Sequence, residues 1–202
     1  MIHVFFPEVM GLLRLDEIVG LEMLSSDAKI IGNVEAVGVD TEEWTARALR
    51  VALKKGLEEV AGLKKPLFGQ ARFGIDTKNV KSVRDVVTLK EPQDKLKGMI
   101  FEPSHIPRYA GEVVYKRVVC CKGREIGVTG TVYIDPDGGW KIPFIEVEMD
   151  KEVFNEMNLK KSIFKRREVK VPTSLIGTVG DLIMLNTGED ELARIIEKTP
   201  RS

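Results

Sequence analysis

Along most of this chain apolar and polar residues alternate with a period of two. Leu49, Val51 and Leu53 alternate with Ala48, Arg50 and Ala52, and farther on Ile145, Val147 and Met149 alternate with Glu146, Glu148 and Asp150. That period marks a strand with one face buried and one face wet, so the three carboxylates read as a solvated face. Apolar, largely β-branched residues surround Gly32 (Ile30, Val34, Val37) and Gly127 (Ile126, Val128, Val132, Ile134). Both runs stop at turn residues, Asp40-Thr41-Glu42-Glu43 and Asp135-Pro136-Asp137-Gly138-Gly139, and a hairpin restarts at Trp44 or Trp140. The period turns helical in one short stretch per half, 55–62 and 151–158, where Leu57, Val60, Val153 and Met157 carry it.

The two halves answer each other. Leu63-Lys64-Lys65 and Phe68 recur as Leu159-Lys160-Lys161 and Phe164; Thr77, Val83, Asp85 and Leu89 recur as Thr173, Val179, Asp181 and Leu185; Asp94 and Leu96 recur as Asp190 and Leu192, all at a shift of 96. Ile31-Gly32 and Asp40 match Ile126-Gly127 and Asp135 at a shift of 95, and one inserted residue near Gly138-Gly139 accounts for the difference. A self-similarity of this kind decides the architecture. The expected fold is all-β: two tandem small β-barrels, each with one short helix, over residues 11–98 and 109–199. Residues 99–108, with Pro103 and Pro107, read as an extended connector. Gly32, Asp40 and Asp85 in the first copy, and Gly127, Asp135, Gly138, Gly139 and Asp181 in the second, read as structural turn residues.

The stretch Ser26-Asp27-Ala28-Lys29-Ile30-Ile31-Gly32 through Asp40 resembles the opening hairpin of PRC-barrel domains. Asn79 to Leu89, and its echo Ser174 to Leu185, resemble the closing strands of that family. Tandem chains of this size are similar to archaeal cell-division proteins of the family. That resemblance implies a non-enzymatic adaptor that links a SepF-type membrane anchor to the division machinery, cytoplasmic and reaching the division site through its anchored partner. Another branch of the family closes a ribosome-maturation factor that recognises a ribosomal protein, and this implies an alternative role in ribosome or RNA metabolism. These are signatures of fold and say nothing of chemistry.

Composition narrows the picture further. The 202 residues suit one large domain or two of about 100 residues, and 43% hydrophobic against 31% charged residues is a folding composition. Lys plus Arg and Asp plus Glu both number 31, so no overall field draws nucleic acid or an anionic membrane, and membrane association is expected only through a partner. Cys120 and Cys121 are adjacent, which suits neither a disulfide between them nor a metal site. His3 and His105 have no second ligand at metal spacing. No catalytic residue, metal or cofactor is expected. The apolar start, Ile2 to Phe6, is broken by Pro7 and Glu8; it reads as an added strand, a staple or a docking motif rather than a signal peptide. The strongest electrostatic feature is the run Lys160, Lys161, Lys165, Arg166, Arg167 and Lys170, which replaces a nearly neutral segment of the first copy. It is read as a partner-binding surface for acidic protein, with a plain solvated turn as the alternative. With only Phe164 interleaved, nucleic acid is the lesser expectation. Self-association is left open.

Overall fold

The computed structural model describes residues 11–157, 159 and 167–198. Two compact units emerge. One comprises Leu13–Gly111 together with the turn Asp135–Lys141; the other comprises Glu112–Ile134 and the described residues from Ile142 onward.

The first unit opens with a two-residue strand β1 (Leu13–Arg14) and a single-turn helix α1 (Leu15–Ile18). Strands β2 (Glu22–Leu24), β3 (Ile30–Asp40), β4 (Thr45–Leu53) and β5 (Arg72–Asp76) follow, with helix α2 (Glu58–Ala61) between β4 and β5. The chain then forms β6 (Val80–Val83), β7 (Val87–Leu89) and β8 (Ile100–Phe101). Hydrogen bonding sets the order β6-β7-β2-β3-β4-β5-β8, antiparallel except where β2 runs parallel to β7. The second unit repeats this order with β9 (Arg117–Val119), β10 (Glu125–Asp135), β11 (Lys141–Met149), helix α3 (Lys151–Glu156), β12 (Glu168–Pro172), β13 (Ile176–Val179) and β14 (Ile183–Leu185), and closes on α4 (Glu189–Lys198). Its order is β13-β14-β9-β10-β11-β12, again with one parallel pair, β9 with β14. The duplication is therefore present in the pairing itself.

The chain is mostly β, as the alternating pattern led us to expect, and its sheet curls in the manner of a half-barrel. A one-turn 3-10 helix carries the chain round the corner in each copy, at Thr77–Asn79 and at Thr173–Leu175. The buried Thr77 hydroxyl donates to the carbonyls of Ala46 (3.0 Å) and Arg47 (3.2 Å), and Thr173 does the same to Ile142 (2.7 Å) and Pro143 (3.3 Å). Those bonds give the curled sheet a polar latch that an apolar side chain could not supply.

The inward face of the first sheet is a dry core of Met23, Ile31, Leu49, Val51, Phe73, Ile75 and Leu89. Its counterpart in the second is built from Ile126, Val132, Ile145, Val147, Met149, Val171 and Leu185. Gly32 and Gly127, read as turns, lie inside β3 and β10. A Cβ on Gly32 would stand 2.0 Å from the carbonyl oxygen of Ala52, and one on Gly127 would stand 2.1 Å from that of Glu148. Each marks a place where two strands approach too closely for any side chain.

The segment read as a connector forms a strap on the first unit. Phe101 pairs with Gly74 and Ile100 with Ile75, the Val39 N–H donates to the Arg108 carbonyl (2.9 Å), and the Arg50 guanidinium lies 4.8 Å from the centre of the Tyr109 ring. Phe101 also stacks on the exposed His105, with ring centroids 6.5 Å apart. The strap covers the turn end of β3, where Val37, Gly38 and Val39 are buried in succession. The helices are shorter than the periodicity suggested, α2 because Gly56 (φ +91°) precedes it and Gly62 (φ +68°) ends it. The apolar start, Ile2 to Phe6, lies outside the described residues.

Candidate functional site

The expected turn residues fall as follows. Asp40 Oδ1 accepts from the N–H groups of Glu42 (3.0 Å) and Glu43 (3.1 Å), and these bonds, with the Arg47 guanidinium nearby, hold its carboxyl below the ordinary range. Asp135 Oδ1 accepts from the Gly138 N–H (2.8 Å). Asp85 and Asp181 sit in matching bends, closed by Arg84 N–H to Val86 carbonyl (3.0 Å) and by Gly180 N–H to Leu182 carbonyl (2.9 Å). Gly139 takes a positive φ of 79°; Gly138 is instead required by the close approach of the Asp135 carboxylate.

Of the basic run, Lys160, Lys161, Lys165 and Arg166 lie outside the described residues. The two described members face carboxylates of their own sheet. Arg167 lies 3.4 Å from Glu148. Lys170 on β12 is cross-strand from Glu146 on β11, its ammonium 4.4 Å from the centre of the Tyr133 ring. Glu146 is the residue that periodicity misplaced: it is only 7% exposed, and its Oε2 accepts from the Tyr133 hydroxyl at 2.8 Å. Glu148 and Asp150 are exposed as expected. A carboxylate can be buried here because a hydroxyl satisfies it and Gly130 leaves room beside Oε1.

The same sheet position is occupied differently in the first copy. Arg50 stands where Glu146 stands, Glu35 where Gly130 stands, and Gly74 where Lys170 stands. Glu35 there accepts from Arg72 at 2.7 Å and lies 3.3 Å from Arg50. Equivalent strands thus carry an Arg-Glu-Arg cluster in one copy and a Tyr-Glu-Lys cluster in the other.

A second divergence lies at the opening hairpin. In the first copy Asp27 accepts from the Ser25 hydroxyl (2.5 Å), pairs with Lys29 (2.9 Å) and accepts from the Gln93 N–H (3.1 Å). In the second, Arg124 replaces Lys29 and is clamped by Glu156 of α3 (2.7 Å) and Glu189 of α4 (3.5 Å). The ion pair with Glu156 lowers that carboxyl and raises Arg124. Around it opens a cleft of about 380 Å³, with Val153, Met157 and Ala193 as its apolar lining and Glu156, Glu189 and Asp190 among its acids. This cleft was not foreseen, although the acidic start Glu189-Asp190-Glu191 before Leu192 and Ile196 at helical spacing announces α4. Buried Cys120 sits beside it, its thiol 3.9 Å from Glu189, while Cys121 is exposed, and both are free. Among the described residues no group of three or more His, Cys, Asp or Glu could hold a metal ion, and no helix is long and apolar enough to cross a membrane.

A small, partly open barrel that occurs twice in one chain, with the same strand order and different side chains on equivalent strands, defines a class of barrel module. Residues 10–96, the first of the two copies, match the PRC-barrel domain family. Among solved structures the chain is similar to a putative 16S ribosomal RNA processing protein RimM from Pseudomonas aeruginosa, at 11% identity over 80% of this chain and 98% of that one. The TM-score of that match is 0.27, too low to bear on fold or function. No curated protein matches the chain.

Proposed function

We propose that this protein is a non-enzymatic protein–protein adaptor whose two barrels hold different partners. The observation that carries the reading is the exchange of side chains on equivalent strands, Glu35, Arg50 and Arg72 in one copy against Tyr133, Glu146 and Lys170 in the other. The shared latch and the shared close-approach glycines keep the scaffold the same while the side chains on equivalent strands differ. Divergence of that kind suits recognition of two partners more than it suits shared chemistry. Resemblance to archaeal tandem PRC-barrel proteins points to cell division as the process and to a SepF-type membrane anchor as one partner.

Purified chain and a purified SepF-type protein should co-elute in size-exclusion chromatography at moderate ionic strength. Capture of tagged protein from its native cells should recover division proteins. Recovery of ribosomal components instead, with RNA retention that falls steeply with salt and is lost when Lys165, Arg166 and Arg167 become Glu, overturns this reading in favour of ribosome maturation.

A further inference from the structure

The excursion between β4 and β5 of the first unit carries two large apolar side chains that nothing covers. Leu67 is 95% exposed and Phe68 92%. Folded proteins seldom leave a leucine and a phenylalanine bare side by side, and here the pair stands at the tip of a loop whose ends are fixed. Gly62 (φ +68°) caps α2, the Leu63 N–H donates to the Glu58 carbonyl (2.8 Å), and Pro66 stiffens the approach. On the far side Gly69 (φ +79°) makes the turn, and the Gln70 side-chain amide donates to the Leu53 carbonyl (3.1 Å). The tip is therefore presented by the fold rather than trailing from it.

The excursion that carries the tip is net positive. Lys54, Lys55, Lys64 and Lys65 are exposed on this excursion against Glu58 and Glu59, four cations less two anions, a local +2 in a chain whose total is zero. A convex apolar pair beside lysines fits a lipid–water interface: the rings and methyls enter the headgroup–acyl boundary at any angle, and the ammonium groups reach back to anionic headgroups. A protein pocket would need complementary shape around both side chains. In sequence, the motif Lys-Lys-x-aliphatic-Phe recurs as Lys160 to Phe164, outside the described residues.

We infer that the loop Lys64–Gly69 is a membrane-docking finger that inserts Leu67 and Phe68 into an anionic lipid surface. This goes beyond the adaptor reading, in which a partner supplies all membrane contact, and it is tested with pure protein and lipid, so that either can fail alone. Full-length protein should co-sediment with phosphatidylcholine vesicles containing phosphatidylglycerol, and bind vesicles of phosphatidylcholine alone at least about tenfold more weakly. Leu67→Ser with Phe68→Ser should cut binding to the anionic vesicles at least about tenfold while leaving the melting temperature unchanged, since neither side chain packs on the fold. Read as the difference from the wild-type chain, whose Trp44 and Trp140 are buried, Phe68→Trp should add emission that shifts to the blue on binding and is quenched by lipids brominated in their acyl chains. Absence of co-sedimentation, equal binding by the double serine variant, or an unquenched tryptophan at position 68 in vesicle-bound protein overturns the inference. So does loss of a captured protein partner, without any loss of vesicle binding, in the serine variant.

Discussion

Three backbone positions take left-handed φ in both copies, and at two of them the residues differ. Gly20 (φ +99°) answers Tyr115 (+62°), Ala28 (+59°) answers Gly123 (+83°), and Trp44 (+47°) answers Trp140 (+63°). A side chain held there costs about 1–2 kcal/mol, against which glycine's extra chain entropy weighs about 0.5–1 kcal/mol. Ala28→Gly should therefore stabilise the first unit by about 0.5 kcal/mol, and Gly123→Ala should destabilise the second by about as much. Denaturant midpoints that move in opposite directions check the pair; movement in the same direction removes the equivalence. The neighbouring Asp27 supplies a pH prediction. Its hydrogen bond from Ser25, then its bond to Lys29, hold the carboxyl well below its ordinary value of 3.8. A folded value below the unfolded one contributes stability above that ordinary value, and the contribution is lost as pH falls below it. Asp27→Asn should lower stability at neutral pH and flatten the decline below about pH 4, read as denaturant midpoint against pH. An unchanged acid slope would show that the corner contributes nothing. Sequence pattern alone marked Asp27 within the hairpin phrase, but its partner Gln93 is 66 residues away and invisible to local spacing.

At the scale of strands and helices, the recurrence of Gly32 and Gly127 was legible while its cause was not. Both were read as turns, because glycine in a sequence marks permissive backbone, and only coordinates show a neighbouring carbonyl within 2.0–2.1 Å of the missing Cβ. Gly32→Ala or Gly127→Ala must push β3 from β4, or β10 from β11, and should cost about 3 kcal/mol each. Gly180→Ala, with nothing near its Cβ, should cost less than about 0.5 kcal/mol, and thermal melts of the three variants check the contrast. Strand identity followed well from period two. Face assignment failed at Glu146 because alternation assumes that one face is wet, and in this copy Tyr133 and Glu146 are both buried on the other face. Helix length failed at α2 because the apolar spacing ran across Gly56 and Gly62, whose positive φ values stop a helix.

For the molecule as a whole, the duplication is what makes the functional reading testable. If the two units serve different partners, a charge change on one must leave the other's partner in place, since sites that share no contacts act independently. Arg72 at the edge of the first copy's cluster and Glu156 on the rim of the second copy's cleft are both surface charges, each in an ion pair of 2.7 Å. Arg72→Glu and Glu156→Lys should each weaken one interaction by about tenfold or more, equivalent to about 1.4 kcal/mol. The sets of proteins lost in quantitative capture should not overlap. Circular dichroism melts of both variants exclude unfolding as the cause. Loss of the same partners from both variants would mean that the chain presents one composite surface, and the divergence of Glu146 from Arg50 would then reflect how each sheet is covered rather than whom it binds.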